Sequence, residues 1–297
     1  MTIAKAFQVA LKPGDCAVDV GANVGQSAQL ISELVGAKGK CISFECYPSA
    51  FAELSVRAAE SACGNILPYF RAIADKAGHA DLFSGDDPGA QQASTIVPEL
   101  ANRQRLGKQM RKYRVESTTL DSFFEGVSDM PSLIKIDVEG AEEKVLAGAQ
   151  GILKRANPHL VFEFGCASDK NDPPQHFRAL RGLGYKLYLI DLFHYCNRAA
   201  LLANASDVLF AFEDADLIRC RAIAGNVFAV HLTKLRDVEE KLSILNFAEA
   251  EARVRPNPYW AIHSALLRTE KRIISAIAGT YAGCRKGLVS VVKRLRV

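Results

Sequence analysis

An acid at the end of an apolar run, followed by two glycines four residues apart, is the pattern in this 297-residue chain best suited to chemistry. In Val18-Asp19-Val20-Gly21-Ala22-Asn23-Val24-Gly25-Gln26, a strand-like run turns into an amphipathic segment reaching Val35. The first strand-to-helix turn of a doubly wound α/β sheet meets a nucleotide-type cofactor in this way, with backbone N–H groups and a helix N-terminus facing the ligand. Asp19, Gly21, Ala22, Asn23 and Gly25 are therefore candidates for cofactor binding. A nicotinamide fingerprint would require G-x-G-x-x-G and a P-loop a Walker lysine, and neither occurs here. Glu45 closes the next apolar run, Ile42-Ser43-Phe44-Glu45, where a carboxylate holds a ribose diol in this architecture. Capping the helix that begins near Pro48 is the other use for such an acid. NAD-binding folds share it, so Glu45 alone does not choose the cofactor.

These residues need a sheet to position them, and the hydrophobic pattern supplies one. Strands are expected near Cys16–Val20, Lys40–Glu45, Ile66–Ala74, Leu133–Val138 and Leu160–Phe164, with helices near Gln26–Val35, Pro48–Glu60, Ala141–Leu153 and Pro174–Leu183. Such alternation indicates a parallel sheet covered by helices on both faces. Tyr185–Ile190, Val208–Phe212 and Val227–Val230 read as further strands and bring the sheet to about seven. Residues 75–120 break the alternation: glycine-rich around Gly85-Asp86-Asp87-Pro88-Gly89, then basic from Arg103 to Arg114. So long an interval is expected to form a hairpin and a lid near the cofactor pocket, against the plainer reading of a solvated insertion.

Composition sets the context. With 49% hydrophobic and 24% charged residues, the chain reads as a globular α/β domain over 1–235 with a helical, basic extension over 236–297. Its eight cysteines are dispersed, without C-x-x-C pairs or zinc spacing, and read as buried thiols in a reducing cytoplasm. The first twelve residues are too short and interrupted for a signal peptide, and no run of eighteen apolar residues is present. Residues 268–297 hold eight basic residues against Glu270, a net +7 beside +4 for the whole chain. Leu267, Ile274, Tyr281, Leu288 and Leu295 recur there every seventh residue, as in an amphipathic helix. Docking on the chain's own core or a second copy, as in a homodimer, is one expectation; peripheral contact with an anionic inner membrane surface is the other. The tail lacks interleaved aromatics, and no nucleic-acid partner is expected.

A second block selects among cofactors. Leu133-Ile134-Lys135-Ile136-Asp137-Val138-Glu139-Gly140-Ala141-Glu142, read with Asp19–Gly25 as D-x-G-x-N-x-G and with Thr119-Leu120-Asp121-Ser122-Phe123-Phe124, strongly resembles the FkbM-type family of methyltransferases that use S-adenosylmethionine (SAM). The K-I-D-V-E-G-A-E octet at Lys135–Glu142 is its most specific part, and the resemblance runs from about Cys16 to Phe164. It implies a Rossmann-like class I methyltransferase fold, SAM as methyl donor, and a hydroxyl acceptor on a sugar, glycan or other small molecule. One departure concerns the start: only about fifteen residues precede the first strand, where relatives usually carry a longer segment over the pocket, so either closure of the acceptor site comes from elsewhere or the sequence begins late.

Methyl transfer from a sulfonium requires alignment of donor and acceptor and removal of the acceptor's proton. On this reading Asp137 ends a buried strand beside the transferred methyl, placed to orient or deprotonate a hydroxyl. Lys135, two residues back and on the same face, could anchor Asp137 or contact substrate. Glu139 opens the following turn and reads equally as a helix cap. Glu163, inside the apolar run Leu160–Phe164, would reach the crevice from the next strand. With Asp137 it could act as a base pair, hold a hard divalent cation, or simply pair with Lys135; no metal is assigned. Asp75 falls where an adenine ring would lie, so that its carboxylate, or the backbone of Ala72 and Ile73, could read the ring's amino group; a turn-forming Asp fits the same position. A catalytically silent SAM-binding or scaffold protein and a nicotinamide-dependent oxidoreductase are the competing functions.

Overall fold

A computed structural model describes residues 2–85, 94–99, 110–165, 174–193, 208–212 and 224–246. Strand β1 (Cys16–Val20) is buried along its whole length because it lies at the centre of the sheet, parallel to β2 (Lys40–Glu45) on one side. On its other side runs the strand of the K-I-D-V block, Pro131–Ile136. In chain order the strands between are β3 (Ile66–Phe70), β4 (Ala72–Ile73), β5 (Gly78–Gly85) and β6 (Met110–Thr118), which makes Pro131–Ile136 β7. There follow β8 (His159–Gly165), β9 (Tyr185–Phe193), β10 (Val208–Ala211), β11 (Ala224–His231) and β12 (Ser243–Asn246). The main sheet runs β12-β10-β9-β11-β8-β7-β1-β2-β3. Seven of these strands, β3-β2-β1-β7-β8-β11-β9, form the expected mostly parallel core, in which β11 alone runs antiparallel to its neighbours. Beyond it β10 and β12 extend the sheet, so pairing continues past the domain end expected at residue 235.

Alternation along the strands divides the core between two faces. Val18, Val20, Ile134, Ile136, Leu160 and Phe162 lie on one face, beneath Val145, Leu146, Ile152, Leu153, Phe177 and Leu180. Ala17, Cys41, Leu133, Val161 and Phe228 lie on the other, beneath Phe7, Ile31, Val35 and Leu54. The covering helices on that second face are α1 (Ile3–Ala10), α2 (Gln26–Val35) and α3 (Pro48–Glu60). Helix α1 escaped the sequence reading; it is a short segment capped by Thr2, whose hydroxyl accepts from the Lys5 N–H.

Two expected elements divide. The run Ile66–Ala74 ends its pairing in the main sheet at Phe70, where the Arg71 N–H donates to the Glu45 carbonyl, and β4 then joins a small sheet ordered β4-β6-β5. The expected helix Ala141–Leu153 becomes α5 (Glu142–Ala147) and α6 (Gln150–Ala156). Gly148 sits so tightly against β4's end that a Cβ would lie 2.2 Å from the Ala74 carbonyl. Asp121, from the one-turn helix α4 (Leu120–Phe123), caps the restart by accepting from the N–H groups of Gly151 and Ile152. The next helix, α7 (Gln175–Gly182), follows β8, and α8 (Leu235–Glu239) precedes β12.

The expected hairpin is present as β5 and β6. Thr95 bridges back to Phe83 through two backbone hydrogen bonds. The tip of the expected lid, at 86–93 and 100–109, lies outside the described residues, as does the basic extension from 247 onward. Among the described residues no helix is long and apolar enough to cross a membrane. The four described cysteines, Cys16, Cys41, Cys46 and Cys63, are free thiols, the first two buried.

Candidate functional site

The carboxyl ends of β1, β2 and β7 open into one cleft of about 290 Å³. The turn after β1 is pinned from both sides. Gly21 and Ala22 donate to the Phe44 carbonyl of β2, while Val20 accepts from Asp137 just beyond β7. At Gly21 the backbone has φ +74°, and a Cβ would lie 1.9 Å from the Asp137 carbonyl oxygen. The glycine is required by the crossing of two strand ends. Asn23 follows in the left-handed region at φ +49° and donates its N–H to Glu45 Oε2 at 2.7 Å.

Glu45 takes up the helix-capping use read from the sequence. Its Oε1 accepts from the N–H groups of Cys46 and Tyr47, each at 2.7 Å, and so fixes the entry to α3. With Asn23, three of the roughly four lone-pair positions of a carboxylate are occupied. The open position is on Oε2, and Glu45 lines the cleft. Burial pushes its carboxyl up, against the pull of the three N–H donors.

Asp19 and Lys135 are cross-strand partners in the β1–β7 register. Asp19 is completely buried, and the Lys135 ammonium lies 3.1 Å from its Oδ1, 3.3 Å from Asp137 Oδ2 and 3.0 Å from the Gly21 carbonyl it donates to. Burial alone would push that ammonium down, but the two carboxylates outweigh it and hold it above the ordinary lysine value. Asp19 is therefore corrected from a cofactor ligand to the support beneath the turn. Lys135 lines the cleft's floor and anchors Asp137, the first of the two uses read for it.

Beyond the ends of β7 and β8, Asp137, Glu139 and Glu163 each bring a carboxylate oxygen within 4.8 Å of the others. Glu142, not Glu139, caps the turn, accepting from the N–H groups of Val138 and Gly140. Glu139 is left facing the cleft at φ +53°. Its carboxyl is pushed up to about 7, first by burial and then by Glu163, Asp137 and Glu142. Glu163 is likewise raised, first by burial and then by the neighbouring carboxylate of Asp137; it makes no ion pair with Lys135 among the described residues. One of the three carboxylates, Asp137, also faces the buried ammonium of Lys135 at 3.3 Å.

Two other expected residues lie elsewhere. Gly25 stands outside the cleft wall, where its left-handed backbone starts α2 and a Cβ would meet Leu54 and Arg57 of α3 at 2.8 and 2.9 Å. Asp75 is exposed and also absent from the wall, which Arg71, Ala72 and Ile73 line instead. Sequence reasoning passed over Ser94 and Ile96, which reach the cleft from the hairpin insertion. The helix cap read for Glu139 falls instead to Glu142, and Glu139 lines the cleft.

A seven-stranded core in this order, parallel except for β11 and opening its cleft over the ends of β1, β2 and β7, defines a class I methyltransferase fold. The chain belongs to the FkbM methyltransferase domain family, whose sequence model matches residues 19–187, more than half its length. Among solved structures it is similar to the methyltransferase FkbM from Methylobacillus flagellatus KT, at 14% identity and TM-score 0.38 over 76% of this chain and 50% of that one. The chain thus spans about half the length of that protein. It is also similar to precorrin-6y C5,15-methyltransferase from Geobacter metallireducens GS-15, at 10% identity and TM-score 0.42 over 76% and 87% of the two chains. A third likeness is to Aeropyrum pernix fibrillarin with natively bound S-adenosyl-L-methionine, at 13% identity and TM-score 0.39 over 74% and 68%. No curated protein matches the chain.

Proposed function

We propose that this chain transfers a methyl group from SAM to a hydroxyl on a sugar, glycan or other small molecule. The observation that carries the reading is the convergence of the Gly21–Asn23 turn, Glu45 and the Asp137–Glu139 turn on a single cleft. The residues fit the cofactor: Glu45 keeps one acceptor position for a ribose hydroxyl, and Ala72, Ile73, Leu82 and Ile96 give an apolar wall for an aromatic ring. When bound, SAM supplies a sulfonium methyl, so that a C–O bond forms as the C–S bond breaks and its electron pair passes to sulfur. Asp137, held by Lys135, orients the acceptor's O–H, a positioning role of the kind worth several kcal/mol of barrier. The carboxylates around it receive the proton.

Calorimetric titration with SAM, S-adenosylhomocysteine and NAD tests the cofactor. The first two are expected to bind, and binding of NAD in their place would overturn the reading. Asp137→Asn is expected to lower methyl transfer by roughly 10²-fold with little change in SAM affinity.

A further inference from the structure

We propose that Glu139 is the residue that removes the acceptor's proton, with Asp137 fixed beside it as a tethered anion. This assignment rests on the methyl-transfer reading above and deepens it. Three observations of geometry carry it. Glu139 lines the cleft, whereas Glu163 is exposed and not part of its wall. Asp137 is already engaged by the Lys135 ammonium at 3.3 Å, with a Glu163 carboxylate oxygen within 4.8 Å. Glu139 has no cation within ion-pair distance among the described residues, so its carboxylate is available to an incoming O–H.

Backbone geometry adds a second line. Glu139 holds a left-handed φ of +53° that glycine or asparagine would adopt at less cost. The conformation is enforced by the bonds from Val138 and Gly140 to Glu142. It turns a long acid into the cleft at a position where a turn alone would be served better by a smaller residue; such strain gathers at functional sites. The charged groups facing Glu139 are Lys135 and Asp137 from the β7 end, Glu142 from α5 and Glu163 from β8. Carboxylates outnumber the ammonium there. An approaching phosphate or carboxylate would be repelled, and a neutral hydroxyl compound admitted. A base near neutrality also matches the pH at which it must be both ionised and willing to accept a proton. In the step itself, the acceptor oxygen keeps the electron pair of its O–H bond while bonding to the methyl carbon. The proton passes to the Glu139 carboxylate and from there to solvent.

The test uses the full chain labelled with ¹³C at glutamate side-chain carboxyls, titrated by NMR from pH 3 to 9. One resonance, identified by its loss in Glu139→Gln, is expected to titrate near pH 7, and its midpoint should fall in Glu163→Gln, which removes a like charge. Bound SAM, a cation, should lower that midpoint more than S-adenosylhomocysteine does. In methyl transfer to a panel of neutral sugars and polyols, the wild-type rate should climb about tenfold per pH unit below 7 and then level. Glu139→Gln should lose that limb, while Asp137→Asn should be slower but keep it. A chain that binds SAM while Glu139 titrates near 4.5, or whose pH limb survives Glu139→Gln, overturns this assignment alone. A chain that does not bind SAM overturns the methyl-transfer reading, and with it the proton's source.

Discussion

Replacing Lys135 by methionine would test how the two glycine turns are held together. Methionine matches the stem of lysine and removes only the ammonium, which pairs Asp19 with Asp137 and bonds the Gly21 carbonyl. Asp137 can turn to solvent, since nearly half of its side chain is exposed. Asp19 cannot, being completely buried. Breaking a buried pair by removing one partner costs about 3–5 kcal/mol, because the remaining charge is left uncompensated. The loss should depend on pH. Burial already raises the Asp19 carboxyl above its ordinary 3.8, and Lys135 is the main influence pulling it down; without the ammonium it rises further. An acid whose folded pKa is raised stabilises the fold fully only below its unfolded value, and that stability is lost as pH climbs through the folded value. Lys135→Met should therefore be closest to wild type near pH 4 and fall away steadily toward pH 8. Urea unfolding at both pH values measures this, and Asp19→Asn added to Lys135→Met should recover most of the deficit at pH 8. A deficit under 1 kcal/mol that does not vary with pH would refute a charged Asp19–Lys135 pair at the core of the site.

Glu45→Gln keeps the acceptor for Cys46 and Tyr47 but sets an amide NH₂ against the Asn23 N–H; calorimetry should show SAM binding weakened at least tenfold, about 1.4 kcal/mol, and unchanged affinity would count against the ribose role. Gly148→Ala would force a Cβ to within 2.2 Å of the Ala74 carbonyl, an overpacking that should cost about 1–3 kcal/mol and lower the urea midpoint without altering the slope. Glu139→Asn relieves the left-handed backbone and should stabilise the fold by about 1 kcal/mol even as it removes the acid. That gain should grow between pH 5 and pH 8, because the raised Glu139 carboxyl costs the wild type stability as pH rises from 4.5 through 7.

The Lys135–Glu142 octet and the Asp19–Gly25 turn were sufficient to predict the family and the class of sheet, because both are local. A strand, a tight turn and a helix start are built from consecutive residues, and their spacing survives in the linear order. The same locality made β1, β2, α2 and α3 readable to the residue, since their apolar periods and flanking turns lie within a dozen positions. What a residue faces is not local. Asp19 reads as a ligand from its place at the strand end, yet the β1–β7 register sets it opposite Lys135 and buries both. Gly25 reads as a cleft residue from the glycine turn and Asp75 from its place at a strand end, but Arg71 bends the strand out of the sheet before Asp75 and α3 packs over Gly25. The break at Gly148 likewise depends on a carbonyl 74 residues earlier and a cap from Asp121. The sequence by itself determined the folding units and the chemical types at their ends. Tertiary structure decided which carboxylate is spent on an ammonium, which on backbone N–H groups, and which is left facing the cleft, because charge and desolvation act through space between strands far apart in sequence.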